Sequence, residues 1–103
     1  MNTQFRQGDV LLVRVDELPV DAAIEPSRER IILAEGELTG HAHAVSAAAA
    51  TMYAWQGDRL LAVREATALT HEEHDPIALQ PGIYKVVRQR QYDPARDTTR
   101  VVD

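Results

Sequence analysis

All four histidines of this 103-residue chain fall in two close pairs, His41-x-His43 and His71-x-x-His74. Imidazole is the commonest side-chain metal ligand, and it is also the side chain best suited to proton transfer near neutral pH. The second pair sits inside an acidic string, His71-Glu72-Glu73-His74-Asp75. Two such pairs point to a built site for metal binding or acid–base chemistry. On a strand, residues two apart project to one face, so His41 and His43 can share an ion while Ala42 and Ala44 face the other way. A spacing of three suits a turn wrapped around an ion, and Thr70 before the pair and Asp75-Pro76 after it are turn residues. The sequence permits, without requiring, an antiparallel packing that brings the two pairs together at one end of a barrel.

The donor types narrow the chemistry. The chain has no cysteine, so disulfides and thiolate metal sites are excluded. Structural zinc usually takes cysteine, whereas three or four histidines with a carboxylate suit catalytic zinc, iron, manganese, nickel or copper. Glu72 and Glu73 are the candidate catalytic carboxylates, and Asp75 is placed to join them or to orient an imidazole. A metal that lowers the pKa of its water beside such a base makes a hydrolytic centre. The expectation is a divalent metal (zinc, or manganese, iron or nickel) on His41, His43, His71 and His74. Its expected work is hydrolysis of a phosphodiester or a phosphorylated small molecule. Two other classes stay open. The histidines can act without metal, as acid and base of a nuclease or cyclic-oligonucleotide hydrolase. Alternatively, they only brace the loops of an RNA- or protein-binding module. Plainer structural readings exist as well, with the turn pair solvated and the strand pair packed in the core.

Substrate contacts are expected from the basic end of the chain. Residues 85–100 hold Lys85, Arg88, Arg90, Arg96 and Arg100 against Asp93 and Asp97. Tyr84 and Tyr92 flank Arg88 and Arg90, an arrangement able to stack bases and hold phosphates. Tyr84, Arg88 and Arg90 are therefore the substrate-binding candidates, although a core tyrosine and a charge-protected edge strand explain the same residues. The net charge of −5 argues against general nucleic-acid binding, but one basic face is compatible with it.

The elements that must position these residues read as strands. Asp9–Val15 is rich in β-branched residues and apolar on both faces, as in a strand buried on two sides. Arg30–Glu35, His41–Val45, Thr51–Trp55, Arg59–Glu65 and Ile83–Gln91 follow, separated by Gly- and Pro-containing turns such as Gln56-Gly57-Asp58 and Pro81-Gly82. Residues 19–29, with two prolines and several acids, read as a loop. Ala47–Ala50 reads as a hairpin connection, and residues 94–103 as a tail with a short strand near Arg100–Val102. The expected fold is all-β, one domain over residues 1–103, a small barrel or sandwich of short antiparallel strands.

Composition agrees with that size and class. An apolar fraction of 45% and a charged fraction of 26% are those of a globular protein. No apolar run nears the ~20 residues that span a bilayer, and the N-terminus lacks the apolar centre of a secretory signal. A cytoplasmic protein is expected. A homodimer would add buried core to so small a domain.

Two resemblances rest on these residues. Gly40-His41-Ala42-His43 resembles the first metal-binding motif of cupins, and Gln80-Pro81-Gly82 resembles the turn of their second, which implies a fold-level similarity to metal-binding β-barrels. In cupins, however, the second-motif histidine follows that turn, whereas His71 and His74 precede it. The chain is more closely similar to small uncharacterised bacterial and phage proteins. These share a start like Gln7-Gly8-Asp9-Val10-Leu11-Leu12, a centre like Thr39-Gly40-His41-Ala42-His43, and an end running from His71-Glu72-Glu73-His74 to Gln89-Arg90-Gln91-Tyr92. That resemblance implies importance for the histidines and brings no activity with it.

Overall fold

A computed structural model describes residues 4–35, 40–88, 91–93 and 98–100. The chain begins with a hairpin, β1 (Gln4–Gln7) and β2 (Val10–Val15), closed by the two-residue turn Gly8-Asp9. Short strands β3 (Ala23–Glu25) and β4 (Arg30–Glu35) follow, then β5 (Ala42–Ser46), β6 (Ala50–Trp55) and β7 (Asp58–Val63). The remaining strands are β8 (Thr67–Leu69), β9 (Ile77–Leu79), β10 (Gly82–Arg88), β11 (Gln91–Asp93) and β12 (Thr98–Arg100). No helix occurs among the described residues, and so none is long and apolar enough to cross a membrane. The expected all-β class is the one observed.

Six strands form one antiparallel sheet in the order β1-β2-β10-β7-β6-β3. Its two edges, β1 and β3, do not pair with each other, so the sheet is open and the barrel alternative gives way to a sandwich-like arrangement. The opposing layer is built from two pairs, β4-β5 and β8-β9. They are joined where Ala44 and Thr70 exchange backbone hydrogen bonds of 2.9 Å. Among the described residues, β11 and β12 pair with each other.

One core cluster fills the space between the layers. Val10, Leu12, Ala50, Met52, Leu61, Val63 and Tyr84 come from the large sheet; Ile31, Leu33, Ala34, Val45, Leu69 and Leu79 come from the opposing pairs. Burial of this apolar surface, at roughly 25 cal/mol per Å² removed from water, is the main force holding the layers together. Arg59 adds a polar tie across them. Its guanidinium donates to Glu25 on β3 at 2.9 and 3.0 Å and to the Ile32 and Leu33 carbonyls of β4 at 3.0 and 2.9 Å.

Several expectations need correction. The alanine run is not a hairpin connection: β5 pairs with β4, β6 pairs with β3 and β7, and the turn at 47–49 carries the chain from one layer to the other. The Ala49 amide donates within the turn to the Ser46 carbonyl, and the Ala47 amide donates to the distant Glu29 carbonyl just before β4. Alanine suits that corner because its small side chain allows close approach of the layers; Ala49 and Ala50 are both buried. The segment 19–29 contains β3, whose three residues are too few to leave a periodic signal. Short strands β1, β8 and β9 also escaped expectation; a terminal strand is described at Thr98–Arg100, and the rest of the one expected near Arg100–Val102 lies outside the described residues.

Candidate functional site

The two histidine pairs meet. The bridge between Ala44 and Thr70 lays the start of β5 alongside the 70–76 loop, and this brings the four rings into one cluster. Ring centroids are 5.5 Å apart for His41 and His71, 4.4 Å for His43 and His71, 4.5 Å for His71 and His74, and 5.8 Å for His43 and His74. Gly40, with φ +72°, delivers the chain into this approach. His43 is fully buried at 0% exposure, His71 is buried, and His41 keeps 26% of its side chain exposed. The cluster thus has a closed inner side and an open outer one.

Gln7 organises the inner side. Its amide nitrogen donates to the carbonyls of Leu69 (3.0 Å) and Asp75 (2.8 Å), gripping both ends of the histidine loop. Because both partners are carbonyl oxygens, that end of the amide must be the NH2 group. The other end, Oε1, is therefore an acceptor, and it lies 2.9 Å from His43 Nδ1. His43 must carry a proton on Nδ1 to make that bond. In the neutral ring Nε2 is then the acceptor nitrogen.

His71 has the opposite arrangement. The backbone N–H of Glu73 donates to His71 Nδ1 at 3.0 Å, so a neutral His71 carries its proton on Nε2. Two adjacent rings are thus held in complementary tautomers by partners outside the cluster.

Asp9, on the β1-β2 turn, completes the inner side. Its Oδ1 lies 3.3 Å from His43 Nε2, and its Oδ2 accepts from Arg88 Nε at 3.0 Å. Oδ1 is buried, and nothing among the described residues donates a hydrogen bond to it. Arg88 also donates to the Glu35 carbonyl, so the end of β10 is tied to β4 as well as to the turn.

The two glutamates do different things. Glu72 Oε1 accepts from the Ala42 backbone N–H at 2.8 Å, fastening the loop to β5. That bond, a second one from its own backbone amide, and the nearby His41 and His71 rings hold its carboxyl below the usual carboxylate range. Glu73 is 66% exposed, with Oε1 3.7 Å from His41 Nδ1 on the open side. Among the described residues, no three His, Asp or Glu side chains already surround a common point in the way that holds a metal ion.

The substrate candidates fare differently. Tyr84 is fully buried, its hydroxyl donating to the Gln80 carbonyl at 2.7 Å and its ring packing edge-on against Phe5, so it serves the core rather than a substrate surface. The Arg88 charge is engaged by Asp9 inside the scaffold, and Arg90 lies outside the described residues. Gln7 and Asp9 were missed as site residues. The signal for Gln7 was present: it pairs with Val10 on the core-facing side of the hairpin, where an amide is out of place unless it has work to do.

Residues 6–89 match a family described as a domain of unknown function, DUF8820. The chain belongs to this family. The match spans the whole cluster, from Gln7 to Arg88, so the site lies within the DUF8820 domain and not in an appendage to it. No curated protein and no solved structure matches the DUF8820 chain significantly.

Proposed function

We propose that this DUF8820 protein binds one divalent transition metal through its histidine cluster and uses it for hydrolysis. The observation that carries the reading is the convergence of four imidazoles from two segments, His71 lying 4.4–5.5 Å by ring centroid from each of the other three and His43 5.8 Å from His74. Imidazoles sharing one zinc have centroids about 5 Å apart. Binding requires the rings to turn toward a common ion, which the partly exposed His41 and His74 have room to do. A metal there supplies Lewis acidity and lowers the pKa of water. Glu73, exposed beside His41, is the base nearest the open side. An anionic ester, a phosphodiester first, is the substrate class we assign. The metal itself supplies the positive charge that Arg88 no longer offers.

Elemental analysis of untagged protein purified without chelator, beside His43→Ala and His74→Ala, tests the metal. Near-stoichiometric metal in the unmodified protein, reduced in both variants, is expected. A protein that carries none and fails to take up zinc, manganese, iron or nickel would refute the reading.

One observation favours a second reading, a metal-free acid–base pair. His43 Nε2 is set to accept a proton and His71 Nε2 to donate one. Both rings are buried, however, so a substrate would have to displace the loop to reach them. Turnover of RNA or cyclic oligonucleotides that persists in EDTA would select this pair over the metal.

A further inference from the structure

The long strands of the large sheet carry a second apolar surface, which the core between the layers does not use. In β2, Val10 and Leu12 are in the core, so Leu11, Val13 and Val15 project from the opposite face, where all three are half-buried. β10 repeats the pattern. Tyr84 is in the core with Val86 against it, while Ile83 and Val87 point outward. Strand pairing carries this outer face across the sheet, from Val13 through Lys85 and Leu60 to Tyr53 and Ile24. Ile24, at the far edge, is 65% exposed. A sheet with solvent on one face ordinarily alternates apolar and polar residues, whereas strands apolar on both faces belong to a sheet covered on both sides. The pairs β4-β5 and β8-β9 cover one side. We propose that a second copy of this chain covers the other, the two six-stranded sheets packing face to face about a two-fold axis.

Size and charge both select a second copy. Six strands about 4.8 Å apart and about 20 Å long have a projected area of roughly 500 Å². Two copies face to face therefore bury roughly 1,000 Å², which is about what a specific interface needs. Such sheets pack about 10 Å apart, with their strands within about 30° of each other. The ion pair near the middle of the face fits the symmetry. Lys85 is the central residue of β10, and its Nζ lies 3.6 Å from Asp58 Oδ2 on β7. β10 and β7 are the two central strands of the six. Both side chains keep 42% exposure, so each can reach away from the sheet. A two-fold axis between these strands sets Lys85 of each copy against the partner's Asp58, and the charges balance without a further group. A lipid surface would leave the pair in hydrocarbon, and the net charge of −5 opposes anionic headgroups. The histidines belong to the opposing layer and its loop, so pairing through this face does not depend on what they bind.

Analytical ultracentrifugation of the full-length chain, with circular dichroism to check the fold, tests the interface. The unmodified chain, 11.5 kDa as a monomer, should sediment as a dimer at about 100 μM, above the micromolar range of weak specific interfaces. Lys85→Glu makes the centre of the face acidic, and Asp58→Lys makes it basic. Each should weaken dimerisation at least ~10-fold, because like charges then meet across the axis. An equimolar mixture of the two should regain the dimer, since an acidic face now meets a basic one. Val13→Lys, at an outward position that leaves the ion pair intact, should give monomer; it decides the matter if a charge variant fails to fold. A monomeric unmodified chain would overturn the proposal and point to a different occupant of the face. A dimer that survives all three substitutions would overturn it too, placing the contact on another surface. Charge variants that dissociate and do not recover on mixing would overturn the two-fold arrangement.

Discussion

Gln7 makes three hydrogen bonds with one buried amide, to the ends of the 70–76 loop and to His43. Gln7→Leu keeps much of the volume and removes all three. Each buried group left without a partner costs about 1–3 kcal/mol, so urea denaturation should show a loss of at least that size. Long-range proton–nitrogen NMR should also show that His43 no longer favours Nδ1–H. Unchanged stability, or an unchanged tautomer, would contradict the role given to Gln7. Glu72 offers a pH test at the same scale. Its carboxyl titrates below the usual carboxylate range because the Ala42 amide bonds to it. A folded-state pKa depressed in this way stabilises the protein above the unfolded value, and the contribution is lost as pH falls through the folded one. The Ala42 amide resonance should therefore titrate at a pH below that of an ordinary glutamate, and Glu72→Gln should abolish the step.

Among the elements, the β6-β7 hairpin was the most legible. Gln56-Gly57 stands between two apolar runs, and both residues take positive φ, 48° and 82°, as a tight turn matched to strand twist requires. A side chain at a left-handed position costs roughly 1–2 kcal/mol, so Gly57→Ala should lower Tm measurably. Gln56→Asn should raise it slightly, since asparagine tolerates that conformation. Strands with five or more residues and a clear turn at each end could be read from the sequence: β2, β4, β5, β6, β7 and β10. The three-residue strands β3, β8 and β9 could not, because their order is imposed by neighbours. Ala23–Glu25 becomes a strand by pairing with Met52–Ala54, and no local pattern announces it. The alanine corner was misread for a related reason. A tight turn has the same local composition whether it returns to its own sheet or crosses to another.

Across the whole molecule, the site depends on contacts between residues far apart in sequence. Gln7 reaches Leu69 and Asp75, and Arg88 reaches Asp9. This is why the histidines were legible while their supports were not: residue type marks a donor, but only the fold reveals which amide or carboxylate stands beside it. The same architecture separates two kinds of loss. Leu61, fully buried between the layers, should cost about 2–5 kcal/mol when cut to alanine, lowering stability while metal stoichiometry of the folded fraction stays unchanged. His43→Ala should cost stability and metal together because its ring is part of the packed interior. His74→Ala, from the half-buried loop, should lose metal with little change in Tm. Calorimetric melts beside elemental analysis distinguish these cases, and equal destabilisation by both histidine variants would argue for a structural cluster.

The loop's attachment has an evolutionary consequence. Gln7 grips carbonyls, and His71 is steered by the backbone amide of residue 73. Neither contact reads the identity of the side chain at position 73, which projects into solvent on the open side. Any residue but proline can stand there without disturbing the frame. The frame therefore places no demand on position 73, and whatever holds a glutamate there must act through what its carboxylate does on the open side.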